Sequence, residues 1–162
     1  ILCGNERCEV GEELHFLFPE VAQPVCTPDF LAQHGPFDDA DSLNRVNLLH
    51  LHDRHWSADA IGWQPLGWKE WFQAQGATWA GRPFSLSTNK VNLLMAATLA
   101  GEGVMLGWQH MIRAPLRQGR LVLAHPGQLT IGRGNFLNCR QKSLRRPGVA
   151  AFVDHMLASL KA

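Results

Sequence analysis

Short apolar runs alternate with amphipathic stretches along most of the chain, and that alternation predicts strands separated by helices. "PVCTP" (24–28) has a β-prone centre held between two prolines, which predicts a connecting strand followed by a turn. "VNLLHLH" (46–52) is an apolar run of strand length. "PLGWKEWFQAQG" then starts at Pro65, sets Trp68, Trp71 and Phe72 on one helical face, and stops at Gly76. "PFSLST" (83–88) alternates in the manner of a strand.

The 3.6-residue period is clearest at Val91, Leu94, Met95, Thr98 and Leu99, with Ser87, Thr88 or Asn89 standing where a helix cap is expected. Gly101 closes that helix, and "GVMLGW" (103–108) predicts a buried strand. "QHMIRAPLRQG" (109–119) predicts a short helix, and "RLVLAH" (120–125) and "NFLNCR" (135–140) further strands. Pro147 opens a last helix expected to turn Phe152, Met156, Leu157 and Leu160 inward. This order predicts an α/β fold with mainly parallel sheets.

Composition narrows the function. The 162 residues suffice for one full domain or two small lobes. Hydrophobic residues make up 46% and the formal net charge is +1, which does not suggest a surface built to grip phosphate backbones. The one dense basic run, Arg140, Lys142, Arg145 and Arg146, reads as a solvated loop. Cys3, Cys8, Cys26 and Cys139 form no C-x-x-C pair, so zinc-ribbon and thioredoxin-type readings fail, and reduced thiols in a cytoplasmic protein fit the pattern. No apolar run approaches the length of a membrane span. The sequence opens at Ile1 within what reads as a strand, so a fragment or processed piece is expected.

The chain resembles the effector-binding domain of LysR-type transcriptional regulators. The residues carrying the likeness are "PVCTP" (24–28), "LLHLHD" (48–53), "WKEWF" (68–72) and "LLMAATLAGEGVMLG" (93–107). "GRLV" (119–122) and the closing "FVDHMLASL" (152–160) complete them, and the order points toward the subgroup of glycine-cleavage regulators. The resemblance implies a periplasmic-binding-protein-like fold of two α/β lobes holding a small effector. Residues 1–28 and 129–162 would then form part of the first lobe and residues 29–128 a complete second lobe. It also implies a cytoplasmic, bacterial regulator working as a homodimer or homotetramer. Such a regulator binds DNA through an N-terminal winged helix-turn-helix domain that lies outside this sequence.

The strand-end rule for parallel sheets makes Ser87, Thr88 and Asn89 candidates for effector contact. A helix start presents unpaired amides and the positive end of a dipole, which suits a carboxylate. Trp108, ending "GVMLGW", could pack under the following helix or hold a cationic group by cation–π attraction, and Thr27, at the hinge between lobes that the resemblance implies, is a further contact candidate. Trp63, Trp68 and Trp71 read as core or helix-face residues. The expected effector is an amino acid, an amine or a small carboxylate, with no catalysis, cofactor or metal.

Two other classes compete with this reading. His50, His52 and Asp53 could serve a metal-dependent hydrolase, although no third ligand pattern and no H-E-x-x-H helix accompanies them. A free-standing solute-binding protein of the same lobed fold is the second. Gly101-Glu102-Gly103 lacks the G-K-[ST] ending of a phosphate loop, and Cys26 has no positioned base.

Overall fold

In a computed structural model of the chain, residues 2–4, 10–52 and 66–160 are described. The elements run β1 (Leu2–Gly4), β2 (Glu12–Pro19), β3 (Ala22–Cys26), α1 (Pro28–His34), β4 (Leu48–Leu51), α2 (Trp68–Ala74), β5 (Leu86–Thr88) and α3 (Val91–Leu99). They continue with β6 (Val104–Trp108), α4 (Gln109–Arg117), β7 (Val122–Leu123), β8 (Gly134–Arg140), α5 (Gln141–Leu144) and α6 (Pro147–Ser159). Among the described residues, those up to Glu20 and from Thr130 onward make one compact unit, and those from Val21 to Leu129 make the other.

The larger unit is built on a five-stranded sheet in the order β5-β4-β6-β3-β7. β4 lies parallel to β5 and β6, while β3 runs antiparallel to both β6 and β7. Four strands therefore point one way and β3 opposes them. The expectation of mainly parallel sheets holds for the β5-β4-β6 side alone. Parallel neighbours need a crossover between them, and α2 and α3 supply it, whereas β3 arrives with no crossover helix before it.

The α2 stripe is the core's heaviest contribution. Trp68, Trp71 and Phe72 are at most 1% exposed, each worth roughly 1.5–3 kcal/mol of apolar burial. Both indole N–H groups are satisfied on backbone carbonyls, Trp68 Nε1 donating to Leu49 O at 2.9 Å and Trp71 Nε1 to Gly127 O at 3.1 Å. On α3, Leu94 and Thr98 are the buried positions, and the Thr98 hydroxyl donates back to Leu94 O at 2.9 Å. Gly101, at φ +81, stops the helix in the left-handed conformation that disfavours other residues.

Three local expectations give way. "PVCTP" leads into a helix, not a turn, because Thr27 caps α1 by accepting the Phe30 N–H at 3.2 Å and Pro28 occupies its first turn. "RLVLAH" keeps only Val122–Leu123 as strand, since only β3 is there to pair with it. On α6, Phe152 and Leu160 are 57% and 42% exposed while Val153 is buried. Periodicity sets the width of an apolar stripe but not its phase, and the two stripes available on α6 share Met156 and Leu157.

The smaller unit carries an antiparallel three-stranded sheet, β1-β8-β2, with a register shift between Phe16 and Phe18. Glu20 and Arg133 form a nearly buried ion pair at 2.8 Å, and the Glu20 N–H donates to Arg133 O at 2.9 Å. No helix among the described residues is long and apolar enough to cross a membrane.

Candidate functional site

The carboxyl ends of β5, β4 and β6 emerge side by side. Leu51 of β4 is in register with Thr88 of β5, and the His52 N–H extends the ladder by donating to Thr88 O at 3.0 Å. On the other side of β4, β6 ends at Trp108, which is 4% exposed. Loops and helix starts converge at this edge of a parallel sheet, so it is where such folds hold ligands.

None of Ser87, Thr88 and Asn89 holds the cap position of α3. The cap position is Lys90, which makes no side-chain capping bond. Strand pairing holds Ser87 and Thr88 in the ladder against His50 and Leu51, so the chain is free to turn only after Asn89. The Thr88 hydroxyl accepts the Lys90 N–H at 3.1 Å, which leaves its own O–H to donate elsewhere. Ser87 is exposed and Thr88 and Asn89 are half-buried, at the foot of a helix whose amino end carries the positive end of its dipole.

His50, Leu51, Trp68, Leu94 and Trp108 border a shallow surface depression with no enclosed cavity. The His50 ring stacks on Phe84, with centroids 4.2 Å apart. Among the described residues no three His, Cys, Asp or Glu side chains converge in a metal-holding group. Asp53, His55 and Trp63 lie outside the described residues.

Thr27 stands apart from Thr88 and Trp108. β3 opposes β6, with Val25 facing Met105 and Ala22 facing Trp108, so Thr27 falls at the amino-terminal edge of the sheet. The length of β6, about 13 Å, separates it from the strand-end rim. Its hydroxyl is used in capping α1.

Gln23 and Gln109 received no role from the sequence, yet they flank the end of β6. Gln23 is 6% exposed and its Oε1 accepts from Gln109 Nε2 at 3.0 Å. The Gln109 N–H donates to Val21 O at 2.9 Å. Two glutamines beside a predicted strand end were the only signal. Their partners are 86 residues apart in sequence, which local patterns do not reveal.

Burial governs the thiols. It pushes Cys26 up to about 11, opposed in part by a backbone hydrogen bond at Leu31. Cys139 is also raised, by burial first and then by the Glu13 carboxylate across the β2–β8 ladder. Neither is in an activating environment. His125 is lowered by burial, with Asp39 opposing, and its Nδ1 accepts the Gly127 N–H at 2.9 Å.

The architecture is mixed α/β, with the carboxyl ends of β5, β4 and β6 along one edge of the larger sheet. The family model of the LysR substrate binding domain matches residues 8–161, and the chain belongs to that family. The HTH-type transcriptional regulator DsdC of Escherichia coli K12 is 31% identical over 121 residues, which is 72% of this chain and 36% of DsdC. The chain thus spans about a third of that relative's length. The effector domain of the transcriptional regulator AmpR of Pseudomonas aeruginosa superposes with a TM-score of 0.67 at 20% identity, over 95% of this chain and 68% of that one. The regulatory domain of AphB from Vibrio vulnificus gives 0.68 at 18% identity, over 97% and 72%. These structures carry the periplasmic-binding-protein-like fold to this chain.

Proposed function

We propose that the chain is the effector-sensing domain of a LysR-type transcriptional regulator. In this reading it binds a small carboxylate-bearing metabolite at the rim formed by Thr88 and the start of α3, and transforms nothing. The observation that carries this is the start of α3, where the Lys90 side chain makes no capping bond, beside a Thr88 hydroxyl that accepts the Lys90 N–H and keeps a proton to donate. Binding would shift the population of conformers, and so the way paired subunits present DNA-binding domains supplied by the rest of a longer, cytoplasmic protein.

A thermal-shift screen of amino acids, amines and small carboxylates tests this. A hit at 100 times its Kd stabilises by about 2.7 kcal/mol, or roughly 5–10 °C at about 2–4 °C per kcal/mol. Thr88→Val keeps the shape and removes the donor, so affinity for a carboxylate hit drops by roughly tenfold or more, given about 1.5–3 kcal/mol for a hydrogen bond to a charged group. Hits that bind Thr88→Val as tightly as the original chain would place the site elsewhere. Turnover of any hit would overturn the sensing role.

A further inference from the structure

Charge is segregated along this nearly neutral chain. From Gly103 to Val153 there are eight Lys or Arg and no Asp or Glu, leaving seven cations against all 14 acids in the remainder. Half of those eight stand in seven consecutive positions, at Arg140, Lys142, Arg145 and Arg146. Arg140 ends β8, Lys142 sits on α5, and Arg145 and Arg146 lead into α6. All four are exposed. None has an ion-pair partner among the described residues, whereas Arg133, earlier in the same acid-free stretch, is held by Glu20.

A solvated loop does not need this arrangement. Four like charges on one tight turn repel each other; Glu12, opposite Arg140 across the β2–β8 ladder, offsets the first of them, and Lys142, Arg145 and Arg146 have no acidic residue in register. The first turn of α6 carries no acidic residue, and a side chain added at Gly148 would meet nothing within 4 Å, so that positive helix end is also open. The turn is equally poor in what a protein partner would grip, since between 140 and 148 the one large apolar side chain, Leu144, is half-buried. Exposed, flexible cations without an apolar centre are what phosphate contacts use.

We propose that the Arg140–Arg146 turn is a contact surface for the phosphate backbone of duplex DNA. The turn spans roughly 10 Å at helical rise, enough to meet about three phosphates of one strand at ~3.4 Å of axis each. Such a contact is independent of base sequence and would bind weakly, strengthening whatever sequence-reading domain works beside it. The choice of DNA among polyanions rests on reading the chain as part of a DNA-binding regulator. The effector experiment does not depend on this turn, so either proposal can fail without the other.

The test is fluorescence anisotropy of a random-sequence 30-base-pair duplex titrated with the purified 162-residue chain, from 20 to 200 mM salt. With three to four phosphates neutralised, log affinity falls with log salt at a slope of roughly −2.7 to −3.6, a loss of about three orders of magnitude across that range. Changing Arg140, Lys142, Arg145 and Arg146 together to Gln removes the binding and leaves the melting temperature in place, while changing the same arginines to Lys keeps it. No binding at 20 mM salt overturns the proposal. So does binding lost in an Arg113→Gln/Arg117→Gln variant instead, because the contact would then lie on α4. Equal binding to poly-glutamate overturns it too, by pointing to an acidic protein. If the Gln variant fails to fold, the Lys variant and the α4 variant still decide the outcome.

Discussion

Gly103→Ala is expected to be among the most destabilising single-methyl additions to this chain, and the reason is visible in the sheet. β6 enters beside β4 at Gly103, and a β-carbon there would press on the backbone of Asn47, inside contact distance of its carbonyl oxygen and 3.0 Å from its Cβ. That same carbonyl accepts the Val104 N–H at 2.9 Å, the bond that begins the β4–β6 ladder. The obstacle is main chain, so no rotamer change relieves it. Overpacking costs about 1–3 kcal/mol, and weakening one ladder hydrogen bond adds about 1. A total near 2–4 kcal/mol corresponds to roughly 4–16 °C in melting temperature for a chain of this size. Gly148→Ala is the matched control. It adds the same methyl in a helical first turn where nothing lies within 4 Å, so it should be neutral or raise stability by up to ~1 kcal/mol. Circular-dichroism melts of the two variants provide the comparison. A Gly103→Ala protein that melts within 2 °C (roughly 1 kcal/mol) of the original would refute the close approach of β4 and β6.

Two further outcomes follow from titrating groups. His125 has a folded pKa below its ordinary 6.5, and its neutral Nδ1 accepts the Gly127 N–H. Its contribution is therefore intact above pH 6.5 and is lost as pH falls toward the folded value, because the unfolded chain takes up the proton first. Melting temperature should drop from pH 7.5 to 5.5, and more shallowly in His125→Gln; identical slopes would exclude the histidine. Cys26, raised to about 11, holds only about one thiolate in a thousand at pH 8. Iodoacetamide labelling mapped by mass spectrometry should leave Cys26 unmodified until denaturant is added, and native-state labelling would contradict its burial.

The parts of the fold that follow local rules were legible in the sequence. Trp68, Trp71 and Phe72 recur at helical spacing, and all three are buried. Gly101 stops α3 where the apolar period ends. Thr88 was legible as a strand-end residue, because "PFSLST" runs into a helix. What the residues did not reveal was set by pairing at a distance. The opposition of β3 to β6 puts Thr27 at the far edge of the sheet from Trp108, and nothing within 24–28 encodes that direction. The helix cap moved to Lys90 because β4 holds Ser87 and Thr88, a partner 37 residues upstream in register. The α6 stripe was read a fraction of a turn out of phase, since two overlapping sets of apolar positions satisfy the same period. The narrower placement among glycine-cleavage regulators rests on resemblance alone, and the relatives named above do not include one.

β3 is fully buried and sits between β6 and β7, inside the larger sheet and not along its border. The polypeptide thus lays down an interior plank of that unit first and closes its far side nearly a hundred residues later, with Val122 and Leu123. A gene trimmed to start after Pro28 would delete that plank and leave β6 and β7 with a gap between them. The peptide amides of Ala22, Gln23, Val25 and Cys26 should accordingly be among the last to exchange with deuterium, and the unit has no shorter contiguous version that keeps its sheet whole.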